Sequence, residues 1–131
     1  MDKRDISPKG RSMNKVEVVN KLKELYPKAN IVLNDEKNPT EIVAETEPDK
    51  GKAIAVIDKS AAHHHNYTKE RYIIQRGSLE LFVDGTKHDL KEGDVFDIEP
   101  GQVHYAIGNQ TWFEEISTPP WSIEDHFLEE E

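Results

Sequence analysis

Hydrophobic positions follow a helical period near the start of the chain. In the segment NKVEVVNKLKELYP, which begins at Asn14, the apolar positions Val16, Val19 and Leu22 recur at steps of three. Asn14 can cap the first turn, and Pro27 does not allow the helix to continue. The sequence therefore predicts an N-terminal helix within residues 13–28 that lies across the outside of a larger domain.

From residue 29 onward the pattern changes to short alternating runs separated by turn residues. Asp84 and Gly85 lie between two such runs and predict a two-residue hairpin. Strands at a regular spacing of about 8–12 residues are typical of an all-β sandwich or barrel. The predicted strands are 30–33, 41–46, 52–58, 70–76, 78–83, 86–90, 94–98, 103–107 and 111–116.

The two ends of the chain differ from this middle region. Residues 1–12 mix Pro, Gly, Ser and charged residues without periodicity, which predicts a disordered leader. Residues 119–131 form an acidic C-terminal tail after a proline break. A chain of 131 residues has the length of one domain, so we expect a single barrel over residues 29–118.

Composition excludes several classes of protein. No run approaches the ~20 apolar residues of a membrane span, and residues 1–15 contain no apolar core of a secretory signal. We therefore expect a cytoplasmic protein without a membrane partner. The net charge is −9, and the central region is acidic, so no basic stripe is available for nucleic acid. With no cysteine, any metal site must use His, Asp and Glu.

The residues that can carry chemistry are histidines and one glutamate. His63 and His65 point to the same face of an extended strand, with His64 on the opposite face. Glu70 begins the next predicted strand, and pairing of the two strands can bring its carboxylate beside the imidazoles. His104 begins a later strand after a Pro-Gly turn. The alternative is that these side chains only satisfy one another by hydrogen bonds at a barrel mouth.

Two spaced motifs contain these residues and resemble those of the cupin family. Residues 63–77 read HHH-x4-E-x6-G, and residues 93–109 read G-x6-PG-x2-H-x4-N. The chain has Glu99 where the family usually has a further proline, and Asn109 is shifted by one position; neither departure affects a ligand. The resemblance implies a jelly-roll barrel in which His63, His65, Glu70 and His104 bind one divalent transition metal ion. Mn, Fe, Co, Ni, Cu and Zn all suit such a donor set.

Segments 38–42 and 111–126 resemble a subset of small prokaryotic cupins that are often labelled mannose-6-phosphate isomerase-like. For the tail, two interpretations remain open. In the first, Trp112 and Trp121 pin the tail onto the barrel, and Asp125 with His126 forms a polar cap. In the second, the tail closes over the pocket. The first interpretation is favoured.

The resemblance implies an enzyme of isomerase, epimerase or lyase type that acts on a small sugar-like or hydroxy-keto molecule. A non-catalytic metal or small-ligand binding module, an Fe(II) dioxygenase and a purely structural oligomerising domain are the alternatives. Isomerase chemistry needs a positioned proton carrier, and Tyr72 and His126 are the only candidates. Tyr72 shares strand parity with Glu70 and is also the candidate substrate-binding residue, with ordinary barrel core as the alternative.

The remaining histidines are expected to lie outside the site. His64 should face away from the cluster, and His88 should be solvated on a hairpin arm. A lone barrel leaves strand edges open to pairing, and a symmetric dimer is the most common arrangement that covers them. We therefore expect a homodimer that associates through the N-terminal helix or the early strands within 29–46.

Overall fold

The computed structural model describes residues 13–130, so the predicted leader 1–12 and the last residue of the tail lie outside the described residues. These residues form one α-helix, ten β-strands and two short 3-10 turns, Pro48–Lys50 and Ile123–Asp125. In chain order the elements are α1 (Lys15–Leu25), β1 (Asn30–Leu33), β2 (Glu41–Glu47), β3 (Lys52–Lys59), β4 (His63–His64), β5 (Lys69–Arg76), β6 (Leu79–Val83), β7 (Thr86–Leu90), β8 (Val95–Ile98), β9 (His104–Thr118) and β10 (Phe127–Leu128).

All ten strands belong to one antiparallel sheet that curls on itself. The main order is β10-β4-β9-β3-β2-β1, while β5 and β6 also pair with β9, β8 pairs with β5 and β7 pairs with β6. One strand connects most of the sheet, because the first part of β9 pairs with β6 and its second part pairs with β3 and β5. The predicted all-β jelly-roll fold with an external helix is confirmed.

The strand β9 joins two runs that the sequence predicts as separate strands. Its register with β3 shifts between Ile107 and Thr111, so the strand bends there. Gly108 lies at this bend, and a Cβ atom at that position would approach Thr111 Oγ1 to 2.6 Å. Close approach of the backbone therefore requires glycine at the bend, and the chain continues through it as one strand.

The helix α1 covers the outer face of the sheet. The Asn14 side chain accepts a hydrogen bond from the Glu17 amide, as the predicted N-cap requires. Val18 and Leu22 are buried in an outer cluster that includes Trp112. Trp112 therefore belongs to the face that the helix covers, and the tail is held by other residues. Within residues 13–130, no helix is long and apolar enough to cross a membrane.

The inner face of the curled sheet has an apolar end and a polar end. The apolar end is a cluster formed by Ala55, Ile57, Tyr72, Ile74, Leu79, Leu81, Val83, Leu90, Ile98, Ala106 and Phe113. At the opposite end, the inner face of the same strands presents histidines and glutamates. The predicted hairpin is confirmed, since Val83 pairs with Thr86, and Asp84 and Gly85 both have positive φ. Its turn lies at the polar end, because Val83 also pairs with His104.

Candidate metal centre

The structure brings together the four residues that the sequence analysis selects as metal ligands. His63 on β4 is in register with His104 at the start of β9, and Glu70 begins the inward-facing positions of β5. His65 follows directly after β4. One potential ligand atom from each of His63, His65, Glu70 and His104 lies within 4.8 Å of the others. Strand pairing therefore produces the compact cluster that the motif spacing predicts.

Backbone carbonyls fix the orientation of all three imidazoles. His63 Nδ1 lies 2.8 Å from the Ala61 oxygen, and His65 Nδ1 lies 2.6 Å from the Asp125 oxygen. His104 Nδ1 lies 3.1 Å from the Gln102 oxygen. A carbonyl oxygen can only accept, so each Nδ1 carries the hydrogen and each Nε2 keeps its lone pair in the neutral ring. Metal-binding histidines are held in this way in proteins.

Two of these Nε2 atoms face a single carboxylate oxygen. His104 Nε2 lies 3.2 Å and His65 Nε2 3.4 Å from Glu70 Oε1. The buried His65 Nε2 has no hydrogen-bond partner among the described residues, Glu70 included. Lone pairs of two neutral rings and a carboxylate repel one another unless a cation lies between them. The donor set therefore fits a divalent transition ion. When no ion is bound, protons on these groups relieve the same repulsion.

Burial and neighbouring charged groups both shift the pKa values of the residues in this cluster. Burial alone would raise the pKa of Glu70, but its interactions with His104 and His65 hold that pKa well below its usual range. Burial, together with the nearby His104, lowers the pKa of His63 to about 3. Burial would also lower the pKa of His65, but the interaction with Glu70 raises it. The cluster therefore contains one ionised carboxylate and at least one neutral imidazole at neutral pH.

The C-terminal tail packs beside the cluster and orients one of its histidines. Strand β10 pairs with β4, and Asp125 is buried between the tail and the loop after β4. Its carboxylate accepts hydrogen bonds from the backbone amides of residues 66–68 and from the Thr68 hydroxyl, while its backbone oxygen accepts from His65. Asp125 therefore holds the tail and orients a predicted metal ligand at the same time.

A cavity of about 290 Å³ opens directly above the cluster. His63 and Glu70 form part of its floor, and Trp121 and His126 from the tail form part of its wall. The His126 ring stacks on His63 with centroids 4.5 Å apart, and its Nδ1 accepts a hydrogen bond from Trp121 Nε1 at 3.3 Å. The tail thus forms one side of the pocket, as the second interpretation of this segment describes.

Tyr72 lies at the boundary between the cavity and the apolar core. The residue is 4% exposed, lines the cavity and contacts Phe113 with ring centroids 4.4 Å apart. Burial, followed by the charge of Glu70, raises the pKa of Tyr72 well above its usual value, so the phenol is neutral. Both roles that the sequence left open, cavity lining and core packing, therefore apply to this residue.

Three glutamates that were not predicted from the sequence also line the cavity: Glu41, Glu45 and Glu115. Glu41 begins β2, and Glu115 faces inward from β9 opposite Tyr72 on β5. Burial, followed by the charge of Glu70, raises the pKa of Glu41 to about 7. The same two causes raise the pKa of Glu115 well above its usual value. The pocket therefore contains a carboxyl group that can gain or lose a proton near neutral pH.

The other histidines lie outside the cluster. The His64 ring stacks on Phe127, and its Nδ1 lies 2.5 Å from Glu129 Oε2. His64 thus faces away from the cluster, as expected from strand alternation. His88 was expected to be solvated, but it is half-buried against Phe96, with ring centroids 4.6 Å apart. Its position on the hairpin arm still separates it from the cluster.

The central part of the chain matches a known protein-family model. A protein-family model described as a cupin domain matches residues 53–111, a range that contains all four residues of the cluster. No curated protein matches the chain significantly.

Solved structures share the fold at low sequence identity. The nucleoside dehydratase Pac13 from Streptomyces is 9% identical, with a TM-score of 0.66 over 79% of this chain and 90% of that chain. An uncharacterised Klebsiella pneumoniae protein with a double-stranded β-helix domain is 22% identical, with a TM-score of 0.53 over 79% of each chain. A predicted oxalate decarboxylase from Thermotoga maritima is 18% identical, with a TM-score of 0.58 over 68% of this chain and 90% of that chain.

Proposed function

We propose, from the premise that this chain contains a small cupin domain, that it is a metal-dependent enzyme acting on a small hydroxy-keto or sugar-like compound. The reaction would be an isomerisation, an epimerisation or a lyase reaction. The observation that carries the proposal is the convergence of His65 Nε2 and His104 Nε2 on one Glu70 oxygen beneath an open cavity. Such a cluster needs a cation, and the cavity gives a ligand access to it.

The residues that would hold the ion are His63, His65, Glu70 and His104. Three imidazole nitrogens and one carboxylate oxygen suit Mn, Fe, Co, Ni, Cu or Zn rather than Ca or Mg. When bound, such an ion supplies Lewis acidity to oxygens of a chelated substrate. The protein contributes fixed imidazole orientations, through carbonyls on three separate segments, and a tail that shields one side of the site.

The chain also supplies a group that can move the proton. Glu41 lines the cavity, and its pKa of about 7 allows it to act as a base or as an acid near neutral pH. When His126 is neutral, its Nε2 carries the hydrogen, because its Nδ1 accepts from Trp121. This Nε2–H can donate to a substrate oxygen. Glu41 thus fills the role for which the sequence offered only Tyr72 and His126.

The neighbours with named activities support one form of this chemistry. Pac13 is described as a dehydratase, and the Thermotoga maritima protein is described as a predicted decarboxylase. Complexes of Pac13 variants with uridine show that this neighbour accepts a small hydroxylated molecule. These neighbours favour the lyase form of the proposed reaction for the present chain.

Exchange of substrate hydrogens with deuterated water tests the proposal. The metal-loaded protein should be incubated with small hydroxyketones, free sugars, sugar phosphates and keto acids in D₂O, with and without O₂. We expect deuterium at a carbon next to the carbonyl of one compound, detected by NMR. Glu41→Gln should reduce the exchange rate at least about a hundredfold, since general acid–base catalysis contributes that much. Glu80→Gln, on an exposed hairpin strand, is the matched control.

Two outcomes would overturn the proposal. Turnover that requires both Fe(II) and O₂ would indicate a dioxygenase. Tight metal and ligand binding without exchange or turnover under either gas would indicate a non-catalytic binding module.

We also propose that the protein is a homodimer. Among residues 13–130, strand β1 pairs only with β2, so its other edge has no strand partner there, and Val32 on β1 is 44% exposed. Val16 and Leu25 on the neighbouring helix are exposed as well. Light scattering at micromolar concentration tests this: we expect twice the mass of the 15.0 kDa chain, and a stable monomer would contradict it.

A further inference from the structure

The wall of the cavity has an unusual set of charges. Besides Glu70 at the floor, the side chains Glu41, Glu45 and Glu115 line the same space of about 290 Å³. Glu41 and Glu45 lie on β2 and Glu115 lies on β9, the two strands that flank β3 in the sheet. We infer that the wall of this cavity, away from the metal cluster, selects hydroxyl groups of the ligand and discriminates against phosphorylated analogues. The inference rests on the proposed function, because it names the class of substrate for the same site.

Within the part of the chain that the structure describes, this wall offers no unpaired Lys or Arg to an anionic group. Among the described residues that line the cavity, Lys52 is the one Lys or Arg, and its Nζ lies 3.6 Å from Glu47 Oε1. Phosphate sites in proteins use convergent Arg or Lys side chains or the N-terminus of a helix. The one α-helix of the described chain, α1, packs on the opposite face of the sheet.

Hydrogen bonding favours the same ligand class as charge. A carboxylate only accepts hydrogen bonds, and each has about four acceptor positions. Glu45 uses one of these for the Asn30 amide, at 3.0 Å, and its other positions remain for a ligand. A hydroxyl group can donate to such an oxygen. An ionised phosphate or carboxylate cannot, because its oxygens are acceptors as well and are repelled by the glutamate oxygens. The ionised carboxylates among the glutamates therefore accept from hydroxyls and repel anions. Glu115, whose pKa is raised well above its usual value by burial and by the charge of Glu70, keeps its proton and can both donate to and accept from a hydroxyl.

Two further features separate hydroxyl compounds from amines. An ammonium group would also donate to the glutamates, but a bound divalent ion beneath it would repel it. The wall between the glutamates is apolar, with Val43 on β2, Ala53 on β3 and the Trp121 side chain of the tail. A compound with C–H groups between its hydroxyls fits this surface. The cavity volume suits a ligand with the size of a small monosaccharide, at the lower limit of ligand pockets.

Binding to the Co(II)-loaded protein tests the inference without requiring activity. The visible absorption of Co(II) should report ligand binding during titrations with dihydroxyacetone and with dihydroxyacetone phosphate. We expect dihydroxyacetone to bind at least about tenfold more tightly than its phosphate. Titration with glycerol, glycerol 3-phosphate and serinol, which replaces one hydroxyl by an ammonium, extends the comparison to uncharged, anionic and cationic compounds of one size.

Substitution of the glutamates should change this preference. In the Glu41→Gln, Glu45→Gln double variant, inorganic phosphate should bind about tenfold more tightly than in the wild type. The single Glu45→Gln variant should give a smaller change in the same direction, and Glu80→Gln should give none. Equal or tighter binding of the phosphorylated compounds to the wild type would overturn the inference. Unchanged phosphate affinity in the double variant, tighter binding of serinol than of glycerol, or no spectral response to dihydroxyacetone would also overturn it.

The same samples distinguish a failure of the inferred ligand preference from a failure of the proposed function. If Co(II) is not retained, or is retained equally well after His104→Ala, the metal site itself is wrong. If Co(II) binds through His104 and the anionic ligands are preferred, the metal site stands and only the inferred substrate class is wrong.

Discussion

The two ends of the barrel interior are formed by the same strands but have opposite chemistry. On β5 the inward positions change from Glu70 through Tyr72 to Ile74, and on β9 they change from Glu115 to Phe113. The apolar end is filled by buried side chains, whereas the polar end surrounds a cavity. Strand alternation alone therefore puts both sets on the inner face, and the position along the strand decides whether a residue stabilises the fold or contacts a ligand.

Burial has different consequences at the two ends. At the apolar end, removal of side chains from water stabilises the fold by roughly 25 cal/mol per Å² of apolar surface. At the polar end, burial raises the pKa of Glu41 and of Glu115, because it disfavours the ionised form. We infer that the polar end lowers stability and that a bound cation compensates for part of this effect.

Truncation at the apolar end should have the largest effect on stability. Phe113 is fully buried, so Phe113→Ala should lower the free energy of unfolding by about 4 kcal/mol, through lost burial and the cavity it leaves. Phe127→Ala is the control, since Phe127 is 39% exposed and should cost about 1 kcal/mol or less. Urea denaturation measures both. Similar losses in the two variants would contradict the assignment of stability to the apolar end.

Neutralisation of a buried glutamate at the polar end should increase stability. The pKa of Glu41 is raised from 4.5 to about 7, so the folded state binds its proton more tightly than the unfolded state. Its contribution is therefore lost as the pH rises from about 4.5 to 7. In metal-free protein, Glu41→Gln should be more stable than the wild type by about 2 kcal/mol at pH 8. Near pH 4.5 the two proteins should be equally stable.

The expected increase at pH 8 can be checked by urea denaturation at both pH values. Glu80→Gln is the control: the Glu80 carboxylate lies 3.3 Å from Lys87 Nζ, so its removal should not increase stability at pH 8. A Glu41→Gln variant that is less stable than the wild type at pH 8 would show that the carboxylate is favourably paired, contrary to this account.

The boundary residue Tyr72 should show the smallest effect. Its ring packs on Phe113, while its hydroxyl belongs to the cavity end, so Tyr72→Phe keeps the packing and removes only the polar atom. We expect the free energy of unfolding to change by less than about 1 kcal/mol. Ile74→Ala, one inward position further along β5, should cost about 3 kcal/mol. Equal costs would place the boundary between the two ends elsewhere.

Most of the fold could be predicted from the sequence because local signals agreed with the tertiary structure. The Asn14 cap, the Asp84–Gly85 hairpin and the strand limits depend on residues close in sequence. The continuity of β9 depends on the bend at Gly108, where a glycine and the following residues are typical of a turn. Only the approach of Thr111 shows that the strand continues through this bend.

The four residues of the cluster could be selected from the sequence because a recognisable motif spacing contains them. Glu41 could not, since in the run EIVAETE the buried apolar residues Ile42 and Ala44 face the helix and leave Glu41 on the inner side. Alternation does not show which of two buried faces is the barrel interior. For Glu115 the problem is similar, because Glu114 precedes it and strand parity alone does not choose between them.

The measurement that tests the central claim most directly is the metal content of the purified protein and of three histidine variants. We expect close to one divalent transition ion per chain in the wild type and in His88→Ala, whose ring lies on the hairpin arm against Phe96. His65→Ala and His104→Ala should retain less than about a tenth of that amount, because too few donors remain to offset dehydration of the ion. Undiminished metal in His65→Ala and His104→Ala, or complete loss of metal in His88→Ala alone, would contradict the account.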